Sequence, residues 1–105
     1  MSISQKTKSM IGFAAKSRKL LQGTASVEQG IRQRRAKLVL VADDINPGKK
    51  KAISHWCEEM EIPYMVTGTV GEYSSLLQKP SSGLLALTDE HMVSGVLAAV
   101  LKGEM

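Results

Sequence analysis

The stretch Ala36-Lys37-Leu38-Val39-Leu40-Val41-Ala42-Asp43-Asp44 decides the fold class of this 105-residue chain. Its centre, Leu38–Ala42, is an unbroken apolar run rich in β-branched residues, which is typical of a strand buried on both faces of a sheet. A second run of this kind, Gly83-Leu84-Leu85-Ala86-Leu87, lies near the other end of the chain. Two such strands separated by helical patterns predict an α/β protein.

The segments around these two strands alternate between helical and strand patterns. Apolar residues recur at helical spacing, and Gly, Pro or acidic residues mark the boundaries. The predicted elements are helices over Lys6–Leu21 and Thr24–Arg34, strand Lys37–Ala42, helix Lys49–Met60, strand Ile62–Val66, helix Val70–Gln78, strand Gly83–Leu87, and a last helix that Thr88-Asp89-Glu90 caps. Gly30 inside the second helix indicates a close packing contact. We expect residues 1–105 to form a single domain with a central, largely parallel sheet and helices on both faces.

The basic charge lies almost entirely in the first half of the chain. Residues 1–51 carry twelve Lys/Arg against three Asp/Glu, a formal charge of +9, whereas residues 52–105 carry two against seven, a charge of −5. Solubility alone does not require this split, so it indicates a surface for a polyanion, of which nucleic acid is the first candidate. A solvated basic face with no partner is the alternative that the charges alone leave open.

The sequence lacks the signals of a membrane, disulfide or metal protein. Its longest apolar runs are too short to span a bilayer, and Met1–Lys6 lacks the apolar stretch of a signal peptide. With Cys57 as the only cysteine, no internal disulfide is possible. His55 and Cys57 are two residues apart on a predicted helix, and His91 is the only other histidine, so no zinc site is expected. We expect a cytoplasmic protein without a membrane, metal or cofactor partner.

The sequence gives little support for catalysis. Asp43 and Asp44 follow a buried strand, where α/β enzymes often place functional residues. Adjacent residues on a strand point to opposite faces, however, so these two are poorly placed as an acid–base pair. Gly68-Thr69-Val70-Gly71 is too short to be a phosphate-binding loop of a nucleotide enzyme. We expect no enzymatic activity.

Three clusters hold most of the basic residues. They are Lys16, Arg18 and Lys19 at the end of the first helix, Arg32, Arg34, Arg35 and Lys37 at the end of the second, and Lys49–Lys51 after the first buried strand. The start of the second helix offers unpaired backbone N–H groups, which suit an anion. We therefore expect a phosphate backbone to follow one basic edge of the sheet.

Several segments, in order, resemble the ribosomal protein L7Ae/L30e family. The segments are Gly12-Phe13-Ala14-Ala15-Lys16-Ser17-Arg18-Lys19-Leu20-Leu21-Gln22-Gly23, then Ala36–Asp44, Ile45-Asn46-Pro47, Cys57-Glu58-Glu59 and Ile62-Pro63-Tyr64. The resemblance runs from about Met10 to Leu101 and is similar above all to the small bacterial YlxQ-type members. It implies a three-layer α/β/α sandwich, for which we expect a mostly parallel four-stranded central sheet.

The resemblance also implies RNA binding, usually to the sharply bent kink-turn, and association with the ribosome. By position, the family's contacts correspond to Gly23, Thr24, Ala25, Ser26 and Gln29 at the helix start, to Asp44, and to Ser81, Ser82, Gly83 and Leu84. The phosphate contacts would fall to Lys16, Lys19, Arg32, Arg35 and Lys37. We expect a monomer that binds ribosomal or other structured RNA.

One departure from the family pattern affects specificity. Kink-turn binders carry Asn, Glu and Lys where this chain has Ala25, Ser26 and Gln29. Losing two or three base contacts removes about 1–3 kcal/mol each while leaving the electrostatic attraction. The departure leaves a second class of function open, namely a protein-interaction adaptor that keeps the fold without specific RNA recognition.

Overall fold

The computed structural model of the protein describes the backbone of residues 5–101 and the side chains of residues 5–97. Its elements are α1 (Gln5–Lys16), β1 (Leu20–Gln22), α2 (Thr24–Arg32), β2 (Leu38–Val41), α3 (Pro47–Glu59), β3 (Tyr64–Val66), α4 (Val70–Leu77), β4 (Leu84–Leu87) and α5 (Glu90–Leu101). Residues 1–4, on which the signal-peptide prediction mainly rests, lie outside this range.

The four strands form one sheet in the order β1-β4-β2-β3. Strand β4 runs antiparallel to both of its neighbours, whereas β2 and β3 are parallel. Helices α4 and α5 pack against α1, and α2 packs against α3 and against strands β1 and β4. The sheet thus lies between two helical layers.

The predicted α/β/α sandwich with a four-stranded sheet is confirmed, but the predicted mostly parallel sheet is wrong. Only the β2–β3 pairing is parallel. An apolar run buried on both faces looks the same whichever way the strand points, so its pattern carries no information about direction. The chain enters β4 at the edge where β2 ends, since Val41 pairs with Leu84, and β4 must then run back along β2.

The predicted first helix, Lys6–Leu21, is too long. Helix α1 ends at Lys16 because the chain turns there: the N–H of Lys19 donates to the carbonyl of Ala14 at 2.8 Å, and Arg18 takes a φ of 59°. The next three residues form β1, which pairs with β4 from Leu20 to Gln22. Leu20 and Leu21 fit helical spacing as well as a short strand, so the pattern alone does not separate the two.

The core is built around the two strands that the apolar runs predict. All four residues of β2 and all four of β4 are buried. The predicted close contact at Gly30 is confirmed, because a Cβ there would overlap the Leu21 side chain. Within the part of the chain that the structure describes, no helix is long and apolar enough to cross a membrane.

At Gly83 the backbone passes close to several neighbouring side chains. Its φ is +84°, and an added Cβ would lie 2.5 Å from Ile45 Cγ2 and 3.0 Å from Ala42 Cβ. We expect Gly83→Ala to lower the free energy of unfolding by about 2 kcal/mol or more, because the substitution adds both backbone strain and overpacking. Chemical denaturation measures the change.

Gly12→Ala is the matched control for this prediction. Gly12 lies inside α1, and a Cβ there would meet no atom within 4 Å. The substitution should raise the free energy of unfolding by roughly 0.5–1 kcal/mol, since alanine favours a helix over glycine. Equal effects of the two substitutions would contradict the packing at Gly83.

Cys57 should be nearly inert in the folded protein. Its side chain is fully buried on α3, and burial, with a smaller effect of the neighbouring Glu58, raises the pKa of the thiol from 9.0 to about 11. At pH 8 a shift of two pKa units lowers the thiolate fraction about a hundredfold, and the thiolate is the reactive form. We expect a disulfide reagent to modify the native protein at least about a hundredfold more slowly than the denatured chain. Comparable rates would place the thiol at the surface.

Candidate nucleic-acid interface

Three segments that the family resemblance singles out lie together at one edge of the sheet. The N–H of Gly23 donates to the carbonyl of Leu84 at 3.2 Å, and the N–H of Ala42 donates to the carbonyl of Gly83 at 2.8 Å. These bonds join the start of α2, the end of β2 and the loop before β4. We call this surface the helix-start edge and define it by Gly23–Ser26, Asp44 and Ser81–Gly83.

Helix α2 begins without a side-chain cap. Its N-cap is Gly23, with φ 93° and ψ 160°, and Thr24 is its first helical residue. An L side chain rarely adopts this φ, so glycine is required here although an added Cβ would meet nothing within 4 Å. The next helix, by contrast, is capped by Asn46, which accepts from two N–H groups at its start. The first turn of α2 therefore keeps donors and a positive dipole end for an anion.

The exposed side chains on this first turn form a small polar and uncharged surface. Ala25, Ser26 and Gln29 are exposed, whereas Thr24 is half-buried. Residues three and four apart share a helix face, so Gln29 lies beside Ala25 and Ser26. The backbone N–H groups, the Ser26 hydroxyl and the Gln29 amide are thus the main donors that this surface presents.

Asp43 and Asp44 both hold loops in place. Asp44 Oδ1 accepts from the N–H of Val70 at 2.9 Å and so supports the start of α4. Asp43 is 63% exposed and accepts from Lys50 Nζ through its carboxylate at 3.2 Å and its carbonyl at 2.7 Å. Each carboxylate has a structural partner of its own, which gives the hypothesis of a catalytic pair no support. At this edge Asp44 connects the loop after β2 to the start of α4.

The loop before β4 presents less to a ligand than its sequence predicts. Ser81 Oγ accepts from the N–H of Gly83 at 3.0 Å, and Ser82 Oγ is buried without a hydrogen-bond partner among the described residues. Leu84 is completely buried in β4. The Leu84 side chain belongs to the core, so an RNA contact at this predicted site residue can involve only its backbone. What Leu84 contributes is its carbonyl, which holds Gly23.

Lys16 and Lys79 line one open cleft beside the helix-start edge. The cleft has a volume of about 550 Å³, and Gln22 at the end of β1 also lines it. Both lysines are exposed. Lys79 was absent from the residues that the sequence predicts. Two features of the sequence could have indicated Lys79. It lies two residues before the predicted site residue Ser81, and it is one of only two lysines after residue 51.

The other predicted phosphate contacts lie at the opposite edge of the sheet. Lys19 directly precedes Leu20, and Lys37 directly precedes Leu38. Both leucines pair with Leu87, at the end of β4 that lies far from Gly83. Arg32 ends α2, and Arg35 follows it. Strands of four residues separate the two edges by about 13 Å. The prediction of a single basic edge is therefore wrong, because α2 runs from the helix-start edge to the opposite edge, and the residues that follow it, like Lys19 before β1, lie there.

Several cations at this opposite edge already have partners. Lys19 Nζ lies 3.1 Å from Asp89 Oδ2, and this lysine, followed by the N–H of Met92, lowers the pKa of the Asp89 carboxyl below its usual range. The same carboxylate caps α5 by accepting from the N–H of His91. Arg32 lies over the Trp56 ring at 5.9 Å from its centroid. Lys19 and Arg32 thus have structural roles within the protein.

Residues that suit a metal are scattered. Among the described residues, no group of three or more His, Cys, Asp or Glu side chains lies close enough to hold an ion. His55 pairs with Glu59 one turn along α3, and both are exposed. Neither residue approaches Cys57, which lies in the core.

Known proteins are similar to this chain over most of its length. Large ribosomal subunit protein eL8 of Thermoplasma volcanium is 26% identical over 103 residues, which cover 93% of this chain and 85% of the relative. RNA-binding protein YlxQ of Bacillus subtilis is 26% identical over 89 residues, covering 85% and 89%. Its namesake from Enterococcus faecium is 30% identical over 76 residues, covering 72% and 74%.

A solved structure supports the fold independently. A protein with unknown function from Bacillus halodurans C superposes with a TM-score of 0.84, covering 90% of this chain and 96% of that one at 24% identity. The family of ribosomal proteins L7Ae/L30e/S12e/Gadd45 matches residues 5–92, a span that includes all four strands and the whole helix-start edge. This chain therefore belongs to the ribosomal protein L7Ae/L30e/S12e/Gadd45 family.

Proposed function

We propose that this protein is a non-catalytic RNA-binding protein of the cytoplasm that associates with the ribosome. In this proposal it acts as a monomer and as one domain, and it binds structured RNA at the helix-start edge. Its family and its YlxQ and eL8 relatives support this class of function. The observation that carries the proposal is the hydrogen bond from Gly23 to Leu84, which joins the uncapped start of α2 to the loop before β4.

The helix-start edge binds RNA mainly through phosphate. The N–H groups of the first turn of α2 and the positive end of its dipole attract a phosphate oxygen without any charged side chain. Lys16 and Lys79, which line the adjoining cleft, neutralise further phosphates along the same strand. Asp44 and the Ser81–Gly83 loop form the rigid floor against which the RNA packs.

Recognition at this edge depends on the shape of the RNA more than on its bases. Ala25 has no group that can hydrogen-bond a base edge, and Gln29 carries no charge. The loop presents serines, one of them with its hydroxyl buried, where kink-turn binders present apolar residues. Structured RNAs of different sequence should therefore bind with similar affinity and with strong salt dependence.

Ala25→Asp tests whether RNA occupies the helix start. Ala25 is exposed, and a carboxylate in the first turn of α2 should stabilise the helix while repelling phosphate. We expect at least about tenfold weaker RNA binding, a loss of about 1.4 kcal/mol, with an unchanged or higher melting temperature. Fluorescence anisotropy with a kink-turn RNA, across a salt series, measures the affinity.

Ala52→Asp is the matched control, because Ala52 is an exposed alanine within α3. It introduces the same charge and should leave RNA affinity within about twofold of the unchanged protein. Equal losses in the two variants would mean that only net charge matters, and the helix start would not be the site. Absence of RNA binding by the unchanged protein at moderate salt would favour the adaptor alternative.

The triple variant Ala25→Asn, Ser26→Glu, Gln29→Lys tests the physical basis of specificity. The unchanged protein should bind a kink-turn and a straight duplex of equal length within about tenfold of each other. The variant restores the side chains that kink-turn members of the family carry, and each base contact contributes about 1–3 kcal/mol. We expect its preference for the kink-turn to rise at least about tenfold. A strong preference in the unchanged protein would contradict recognition by shape and phosphate alone.

A further inference from the structure

Four cations line a second cleft, at the edge of the sheet opposite the helix-start edge. Arg18, Arg34, Arg35 and Lys37 form its basic lining, and Leu21 and Thr88 complete it, with a volume of about 390 Å³. We call these four cations the arginine edge. All three arginines are exposed.

The acidic side chains near this edge neutralise little of its charge. Asp89 forms an ion pair with Lys19. Glu90 is exposed, and its Oε1 lies 3.8 Å from Lys37 Nζ. Arg34 donates one hydrogen bond, at 3.4 Å, to the carbonyl of Met60. The guanidinium groups of Arg18 and Arg35 make neither a hydrogen bond nor an ion pair with any residue among 5–97, although the backbone N–H of each residue is bonded within its own turn. At least two guanidinium groups at one cleft are therefore available to a ligand.

Helix ends alone do not account for these arginines. The C-terminal ends of α1 and α2 attract cations, and a lysine in the last turn meets that need. Arg18 and Arg34 instead occupy the left-handed position just after each helix, with φ of 59° and 58°, where glycine costs about 1 kcal/mol less. Glu61 has the same conformation after α3, so strain by itself indicates no site. The distinguishing feature is that both strained arginines line the same cleft.

The chemistry of the cleft suits phosphate better than a protein partner. Guanidinium groups form two parallel hydrogen bonds with phosphate, and their planar shape favours extended, exposed anions. Protein interfaces depend on apolar or aromatic anchors, whereas this cleft offers only the half-buried Leu21. Its open form also suits a polymer backbone that lies across it.

We propose that the arginine edge is a second RNA-binding surface, which holds the phosphate backbone of an RNA segment other than the one at the helix-start edge. The sheet and its strands, about 13 Å long, lie between the two surfaces. One molecule would then connect two RNA segments, as a clamp between neighbouring helices of a folded RNA does. This inference goes beyond the proposed function, since it requires no particular occupant at the helix start.

The test compares two variants that each remove two positive charges. Arg18→Gln with Arg35→Gln alters the arginine edge, and Lys6→Gln with Lys8→Gln alters the first half of α1, which belongs to neither RNA surface. Glutamine at residue 18 bears the same left-handed strain as arginine, so both variants should fold, which thermal unfolding checks. The probe is a short RNA duplex in excess at low salt, with stoichiometry read by native mass spectrometry and affinity by a salt series.

We expect the unchanged protein and the lysine variant to bind two duplexes, and the arginine variant to bind one. At duplex concentrations high enough to fill a weakened second site, the slope of log K for the second duplex against log salt should be smaller in the arginine variant. The expected decrease is about 1.8, since each duplex phosphate contact contributes about 0.9. The inference would be overturned if the arginine variant bound a second duplex with the same affinity as the lysine variant. A stoichiometry of one for the unchanged protein that the arginine variant retains would also overturn it, and would leave an acidic protein segment as the alternative occupant.

Ala25→Asp separates this inference from the proposed function. If the helix-start proposal fails, Ala25→Asp leaves all RNA binding unchanged while the arginine variant still loses a duplex. If the inference fails, Ala25→Asp weakens binding and the arginine variant behaves like its lysine control.

Discussion

The pairing of β4 with β2 is the interaction on which the rest of the structure depends. These strands bury every side chain they carry, and their antiparallel register places Val41 opposite Leu84. Gly83 makes the register possible, since only a residue without a Cβ fits against Ala42 and Ile45 at this point. Because β4 also pairs with β1, the same register carries Gly23 to the loop before β4. The geometry of the candidate RNA site thus follows from packing in the core.

Residue patterns predict the parts of this fold that depend on burial and miss those that depend on direction. The runs at Leu38 and Leu84 predict two core strands correctly, because a strand covered on both faces must be apolar throughout. They do not reveal that β4 runs antiparallel, since the order of apolar residues has no polarity. The strand beginning at Leu20 was not predicted, because three residues that continue a helical spacing are indistinguishable from one more helical turn.

The candidate site follows the same division. The resemblance to the family indicated the segments at Gly23, Asp44 and Ser81, and the structure brings them to one edge. Their side chains behave less predictably: Leu84 faces the core, and the cleft beside this edge is lined by Lys79, which the family resemblance did not indicate. Charge composition showed that the first half is basic but not that its cations divide between two edges. That division comes from chain reversal at the ends of α1 and α2, which local sequence does not encode.

The pairing of β1 with β4 has a consequence for the order in which the protein matures during synthesis. Leu21 is synthesised 65 residues before its partner in the sheet, Ala86. Closing so long a loop is slow and entropically costly, so α1 and β1 must wait for β4 before they settle on the sheet. The Gly23 turn is complete only at that moment. The proposed RNA site at this turn would therefore exist only after β4 has been synthesised.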